Sequence, residues 1–167
     1  MPLMPLIGTG GPYLPARPSL LGASFSSSSW PLADRIIYCR LFIPEDFTVL
    51  RVWWTNAGTV TGNVNVGLYT IAGTKLWELG STAASGTNQI QYADMADQAH
   101  SAGEYFLAIQ KSTTGSLYAK TTVGLNVVGM NGALRTEDAA SFALPATATF
   151  AMPASAWTPL CGLDLRG

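Results

Sequence analysis

Between residues 47 and 109 the chain is written in short runs whose apolar side chains recur at every second position. Phe47-Thr-Val-Leu-Arg-Val-Trp-Trp-Thr-Asn56, Gly62-Asn-Val-Asn-Val-Gly-Leu-Tyr69, Lys75-Leu-Trp-Glu-Leu79 and Glu104-Tyr-Phe-Leu-Ala-Ile109 are separated by Gly, Ser, Thr and Asn. A period of two places successive side chains on opposite faces of an extended strand, and such strands, evenly spaced between turn residues, predict an all-β fold. The expected architecture is an antiparallel β-sandwich, jelly-roll-like, over residues 34–167. No helical heptad and no repeat of fixed period competes with it.

The pattern also orients individual strands. Ile36, Tyr38 and Arg40 share one face and Ile37, Cys39 and Leu41 the other. Phe47, Val49, Arg51 and Trp53 oppose Thr48, Leu50, Val52 and Trp54, and bulk on both faces predicts a central strand. Val64, Val66 and Leu68 point inward, with Asn63, Asn65 and Tyr69 expected outward. Ala72-Gly73 supplies a tight turn into Lys75–Leu79, a hairpin. Asn88–Tyr92 reads as a strand, 94–102 as a helical turn ended by Gly103, and Ser116–Thr121 as a further strand. Residues 122–141 read as a long loop, and the proline-broken stretch from Phe142 to Pro159 as edge strands at most.

Residues 1–33 form a separate region. Prolines at 2, 5, 12, 15, 18 and 31 and the serine run 26–29 deny it a helix or a central strand. It reads as an extended arm, yet it carries Leu3, Leu6, Ile7, Tyr13, Leu14, Leu20, Leu21, Phe25 and Trp30, too apolar for a solvated linker. Ordering about thirty residues costs on the order of 30 to 60 kcal/mol. Offsetting that at ~25 cal/mol/Å² takes roughly 1,200 to 2,400 Å² of apolar burial. These nine residues are therefore expected to lie against a partner, the other reading being a tethered first strand with a loose leader.

Composition narrows the function classes. Only 11% of residues are charged, against about 25% in soluble globular proteins, so hydroxyls, amides and neighbouring subunits must cover the surface. Net charge is −1 and the nine Lys and Arg residues are scattered, which leaves no footprint for a phosphate backbone, and nucleic acid is not an expected partner. The first ten residues lack a basic n-region, and no apolar run approaches the roughly 18 residues of a spanning helix, so neither secretion nor a membrane is expected. Cys39 and Cys161 can pair if the chain ends meet, but two cysteines are no disulfide framework, and buried thiols are the alternative.

No residue set spells a catalytic centre, a cofactor site or a metal site. His100, the one histidine, has Asp94 and Asp97 near it but no second imidazole or thiolate at ligand spacing, and it reads as a solvated loop residue. The acidic pairs Glu45 and Asp46, Asp94 and Asp97, and Glu137 and Asp138 read as turn residues, and Glu78 and Glu104 as outward strand positions. The serine run lacks a Gly-x-Ser-x-Gly elbow, and the glycines at 8–11 are not followed by Lys-Ser or Lys-Thr. The aromatics carry more weight. Trp54, Tyr69 and Trp77, with Trp53, Tyr92 and Tyr118 beside them, are candidates for a subunit interface or for stacking on sugar rings. Trp53 and Trp54 must point to opposite faces, one into the core and one outward.

Gly62-Asn-Val-Asn-Val-Gly-Leu-Tyr69, Gly73-Thr-Lys-Leu76, Gly80-Ser-Thr82 and Ala102-Gly-Glu-Tyr-Phe-Leu-Ala-Ile109 together resemble a module of tailed-bacteriophage virion proteins: capsid decoration proteins, head fibres and tail-fibre accessory domains. The resemblance spans Thr59 to Ile109. It implies a virion structural protein, made in the host cytoplasm, that cements the head through contacts with the major capsid protein or other virion proteins, as a symmetric homo-oligomer such as a trimer. The alternative it leaves open is a tail-fibre or spike module that binds host-surface glycans.

Overall fold

The computed structural model describes residues 12–13, 25–121, 134–139, 141–153 and 157–167. Among the described residues there are thirteen strands: β1 (Pro12–Tyr13), β2 (Ser26–Ser29), β3 (Arg35–Ile43), β4 (Phe47–Thr55), β5 (Asn63–Thr70), β6 (Lys75–Glu78), β7 (Thr82–Ala83), β8 (Ile90–His100), β9 (Gly103–Lys111), β10 (Ser116–Thr121), β11 (Leu134–Asp138), β12 (Trp157–Pro159) and β13 (Cys161–Arg166). Two large antiparallel sheets have the orders β1-β13-β4-β8 and β11-β3-β9-β5-β6, with β7 also on β5, and a small sheet is ordered β12-β10-β2.

Strand order identifies the topology. Setting aside β7 and β11, the strands of the two large sheets can be numbered one to eight along the chain. The first sheet then runs 1-8-3-6 and the second 2-7-4-5. That is the order of a jelly roll, eight strands in two Greek keys. The small sheet is an insertion between the seventh and eighth strands, β9 and β13, joined along β10 by the early strand β2.

The main core fills the space between the large sheets. β3 contributes Ile37, Cys39 and Leu41, β5 contributes Val64, Val66 and Leu68, β9 contributes Leu107 and Ile109, and the opposing sheet contributes Val49, Val52, Trp54, Cys161 and Leu163. β3, β5 and β9 keep the predicted alternation, but β4 does not: Phe47 and Val49 enter the same core as Val52 and Trp54, because the irregularity at Leu50 shifts the phase of the strand. Each fully buried large side chain is worth about 1.5 to 3 kcal/mol. β4 lies between β13 and β8, as its double-sided bulk requires. Leu50 is its irregular position, opposite a register shift in both neighbours. The Ala72-Gly73 hairpin joins β5 to β6, with Gly73 at φ +93°.

Several expectations are corrected. Asn65 and Tyr69 do not face solvent; they are 3% and 0% exposed. The second face of β3, β5 and β9 carries a second core of Ile36, Tyr38, Tyr69, Phe106, Ala108 and Leu144, against which Ala148 and Phe150 pack. Residues 141–153 lie over that face. Tyr69 donates to Pro145 O at 2.7 Å, Lys75 N to Ala146 O at 3.0 Å and Ala148 N to Gly73 O at 2.8 Å. The tail thus spends its backbone groups on covering a sheet, which its prolines permit.

Residues 94–100 are strand, not helical turn, because β8 runs through to His100 along β4. Within 122–141, where a loop was expected, Leu134–Asp138 form the edge strand β11 on β3, while 122–133 and 140 lie outside the described residues. Only Glu45 and Asp46 of the acidic pairs sit in a turn. Asp94 and Asp97 belong to β8, and Glu137 and Asp138 to β11.

The boundary at residue 33 also moves. Ser26–Ser29 pair with β10 as an edge strand, and Trp30 is 1% exposed in the main core, its indole N–H donating to Arg35 O at 3.1 Å. Elements of the folded domain therefore precede residue 33: β2 joins the small sheet and β1 is the first strand of the jelly roll. Pro12–Tyr13 pair with Asp164 and Leu163 at the edge of the first sheet.

Candidate functional site

The structure removes the aromatic platform expected from the sequence. Trp54 is 0%, Tyr69 0% and Trp77 8% exposed, so none can stack on a sugar or meet a neighbour. Their phase explains it: Trp54 follows Val52 into the main core, Tyr69 lies beneath residues 141–153, and Trp77 faces inward from β6. Trp53 does point to the opposite face from Trp54, yet it too is buried, at 5% exposed, beside Gly162 of β13 and Tyr92 of β8. Of the proposed partner-facing residues, Trp30 is corrected to a core position. Phe25 is half-buried next to β2, and Tyr13 sits in β1. Leu3, Leu6, Ile7, Leu14, Leu20 and Leu21 lie outside the described residues.

Two aromatics are well exposed among the described residues, Phe42 of β3 at 58% and Tyr92 at 49%, and Tyr92, on the outer face of β8, has polar groups around it. The Arg51 guanidinium lies 4.9 Å from its ring centroid and is held there by Asp164, to which Arg51 Nε donates at 2.7 Å. Cross-strand register brings the group together: Arg51 of β4 stands opposite Asp164 of β13 and Asp94 of β8. A flat ring flanked by a cation and two carboxylates can stack on an apolar ring face and bond to hydroxyls.

A shallow, open depression of about 380 Å³ lies at one end of the sandwich, lined by Asp46, Phe47, Thr48, Ala99, His100, Ser101, Arg166 and Gly167. Its polar groups are engaged structurally. Asp46 Oδ1 accepts from Ala102 N at 2.8 Å, and Arg166 donates to Asp97 at 2.8 Å. His100 is not a solvated loop residue. It ends β8, packs tilted against Phe47 and Tyr105, which also touch each other, and its Nε2 accepts the Trp77 indole N–H at 3.1 Å. Partial burial lowers its pKa. To act as a base through Nε2 it would have to give up the Trp77 bond.

Other ionisable groups are tied into the frame. Glu78 and Glu104 face outward as expected, paired with Lys75 and Arg40. Burial pushes the Glu78 carboxyl up, but hydrogen bonds from Lys75 and Asn65 outweigh it and leave it below the usual range. Burial, then the hydrogen bond to Glu137, holds the Tyr38 hydroxyl far above the usual phenol range. Asp138 is lowered by its hydrogen bonds from Arg35, at 2.5 and 3.0 Å. Among the described residues no group of three or more His, Cys, Asp or Glu side chains converges to hold a metal ion.

Sequence reasoning missed Lys111. It is 0% exposed, and its ammonium donates to Thr61 O at 3.3 Å. The signal was present, since Lys111 continues the inward phase of Leu107 and Ile109 at two-residue steps.

Comparison of the chain with protein-family models, with curated proteins and with solved structures finds no match. Fold and site geometry therefore carry the functional argument.

Proposed function

We propose that this protein is a structural component of a bacteriophage virion, a decoration protein that stabilises the head through subunit contacts. The observation that carries the reading is the jelly-roll strand order, an architecture that recurs in viral capsid and lectin domains. Fold alone does not assign function. The resemblance of Thr59–Ile109 to virion modules favours the viral branch. The way His100, Lys75, Glu78 and Arg166 are consumed in structural pairs fits a scaffold. A decoration protein needs many weak contacts repeated over a lattice, and multivalency turns them into firm attachment.

The test is made on particles. Purified virions should contain the chain in fixed ratio to the major capsid protein, and heads lacking it should melt at lower temperature and recover when it is added back. Virions without the chain, or heads indifferent to it, would overturn the proposal. The lectin branch is favoured by one observation, the exposed Tyr92 ring with Arg51 and Asp94 beside it. On that reading a glycan array gives binding that Tyr92→Ala abolishes, with no effect on heads.

A further inference from the structure

Cys39 and Cys161 stand on opposite sheets. Cys39 is in β3, between β11 and β9, and Cys161 opens β13, opposite Trp54 of β4. Both point into the space between the sheets, at 0% and 1% exposure, and belong to the same core cluster. The neighbouring Cys39 thiol, then burial, holds the Cys161 thiol above its usual range. In sequence they are separated by nearly the whole domain, so only the closed jelly roll brings them together. Both are thiols here.

We infer that Cys39 and Cys161 form a modification site, a latent cross-sheet disulfide that a low-molecular-weight disulfide such as oxidised glutathione closes. The two thiols are neighbours in one buried cluster between the facing sheets, and a bond of about 2.05 Å between them would join β3 to β13 across the core. In the balanced step one protein thiolate attacks the glutathione disulfide, giving a mixed disulfide and one glutathione thiolate. The second protein thiolate then attacks the protein sulfur of that mixed disulfide and releases the second glutathione thiolate. Two protein thiols lose their protons to solvent, two glutathione thiolates take protons up, and one S–S bond forms between the protein sulfurs as the glutathione S–S bond is broken. The chemistry does not depend on the role proposed above, and the oxidised form is favoured outside a reducing cytoplasm.

Burial governs when the reaction happens. A thiol shielded from water and held by its neighbour resists ionisation, and the thiolate is the nucleophile. Closure is therefore slow in the native protein and fast while β13 is docking.

The reduced protein is refolded from urea with oxidised glutathione, and in parallel incubated with it natively. After alkylation in denaturant, the refolded sample is expected to be lighter by two hydrogens and to carry no alkyl group. Its digest should yield a peptide linking Cys39 to Cys161. The native sample should lag at least tenfold. Oxidation of this 122-residue separation should raise Tm by about 10 °C. Cys161→Ala should stop at the glutathione adduct and show no rise. Separate glutathione adducts on the unaltered chain, intermolecular dimers, two alkylatable thiols, or an oxidised form that melts lower than the reduced one would each overturn the inference.

Discussion

Replacing Lys111 with methionine should stabilise the protein. The side chain is fully buried and its ammonium has one long bond, 3.3 Å to Thr61 O. Taking a cation out of water for so little return is costly, and burial accordingly lowers its pKa. Methionine keeps the length of the stem and removes the ammonium. The carbonyl left behind is not orphaned, because Thr61 O also accepts from the Thr113 hydroxyl at 3.0 Å. Exchange of buried charge for apolar volume gains about 1 to 4 kcal/mol, against about 1 kcal/mol for the lost hydrogen bond. A net gain of up to about 3 kcal/mol corresponds, for 167 residues, to a rise in Tm of up to roughly 9 °C.

The pH dependence separates this cause from simple repacking. The folded pKa of Lys111 lies below the unfolded value of about 10.4, so between the two the unfolded chain binds more protons. Stability of the unaltered protein then rises with pH through that window, while below it the penalty is constant. Lys111→Met lacks this component. Urea unfolding of both proteins from pH 7 to 11 should give the largest difference at neutral pH, shrinking towards pH 10.4. A methionine variant less stable at pH 7, or a difference that does not shrink, would refute the reasoning.

His100 has a folded pKa below its unfolded value of about 6.5, so its contribution is present above that pH and is lost as pH falls towards the folded pKa. His100→Gln keeps an acceptor for Trp77 and does not titrate, and its urea midpoint should fall less than that of the unaltered protein between pH 7 and 5. A Cβ at Gly67 would lie 2.6 Å from Leu144 Cδ1 and 2.8 Å from Trp77 O. Gly67→Ala should therefore cost about 1 to 3 kcal/mol by denaturant unfolding, since the Trp77 backbone cannot yield. Removing residues 1–24 should leave a cooperative melt. Removing 1–33 also deletes β2 and the buried Trp30 and should cost at least 3 to 5 kcal/mol, about what Trp→Ala costs in a core.

How much was legible in the sequence depended on whether the information was local. Alternation failed in β4 at Leu50, where the irregularity turns Phe47 and Val49 to the same side as Val52 and Trp54. In β3, β5 and β9 it gave both faces correctly, because period two is a property of the strand itself. What covers a face is not. Tyr69 looked solvent-facing because its cover, Leu144 to Phe150, arrives about 75 residues later in a stretch with no periodicity of its own, and Asn65 because its partners Glu78 and Gly80 lie beyond the hairpin turn. The serine run 26–29 has no apolar alternation either, and it becomes a strand because β10 offers it an edge. Asp94 and Asp97 were read as turn residues by their type, yet an edge strand on the outside of a sheet tolerates carboxylates, and Arg166 pairs with one of them.

The same division explains the candidate site. Large aromatics in a weakly charged chain suggest a recognition surface, but an indole is also the side chain that best fills the gap between two twisted sheets. Trp30, Trp54 and Trp77 are used in that way. Two of these indoles reach a partner from the core, Trp30 the Arg35 carbonyl and Trp77 His100. That need for an acceptor places the histidine, so a residue that sequence reading weighed as chemistry is fixed by the core's own hydrogen-bond demand. By contrast Tyr92 is exposed because β8 is an edge strand, and Arg51 and Asp164 flank it through pairing along β4, a relation across 113 residues of chain that no local pattern encodes. On the glycan-binding reading the outer face of β4 and β8 is the recognition surface, and substitutions at Tyr92 should change binding while those at Trp54 change only stability.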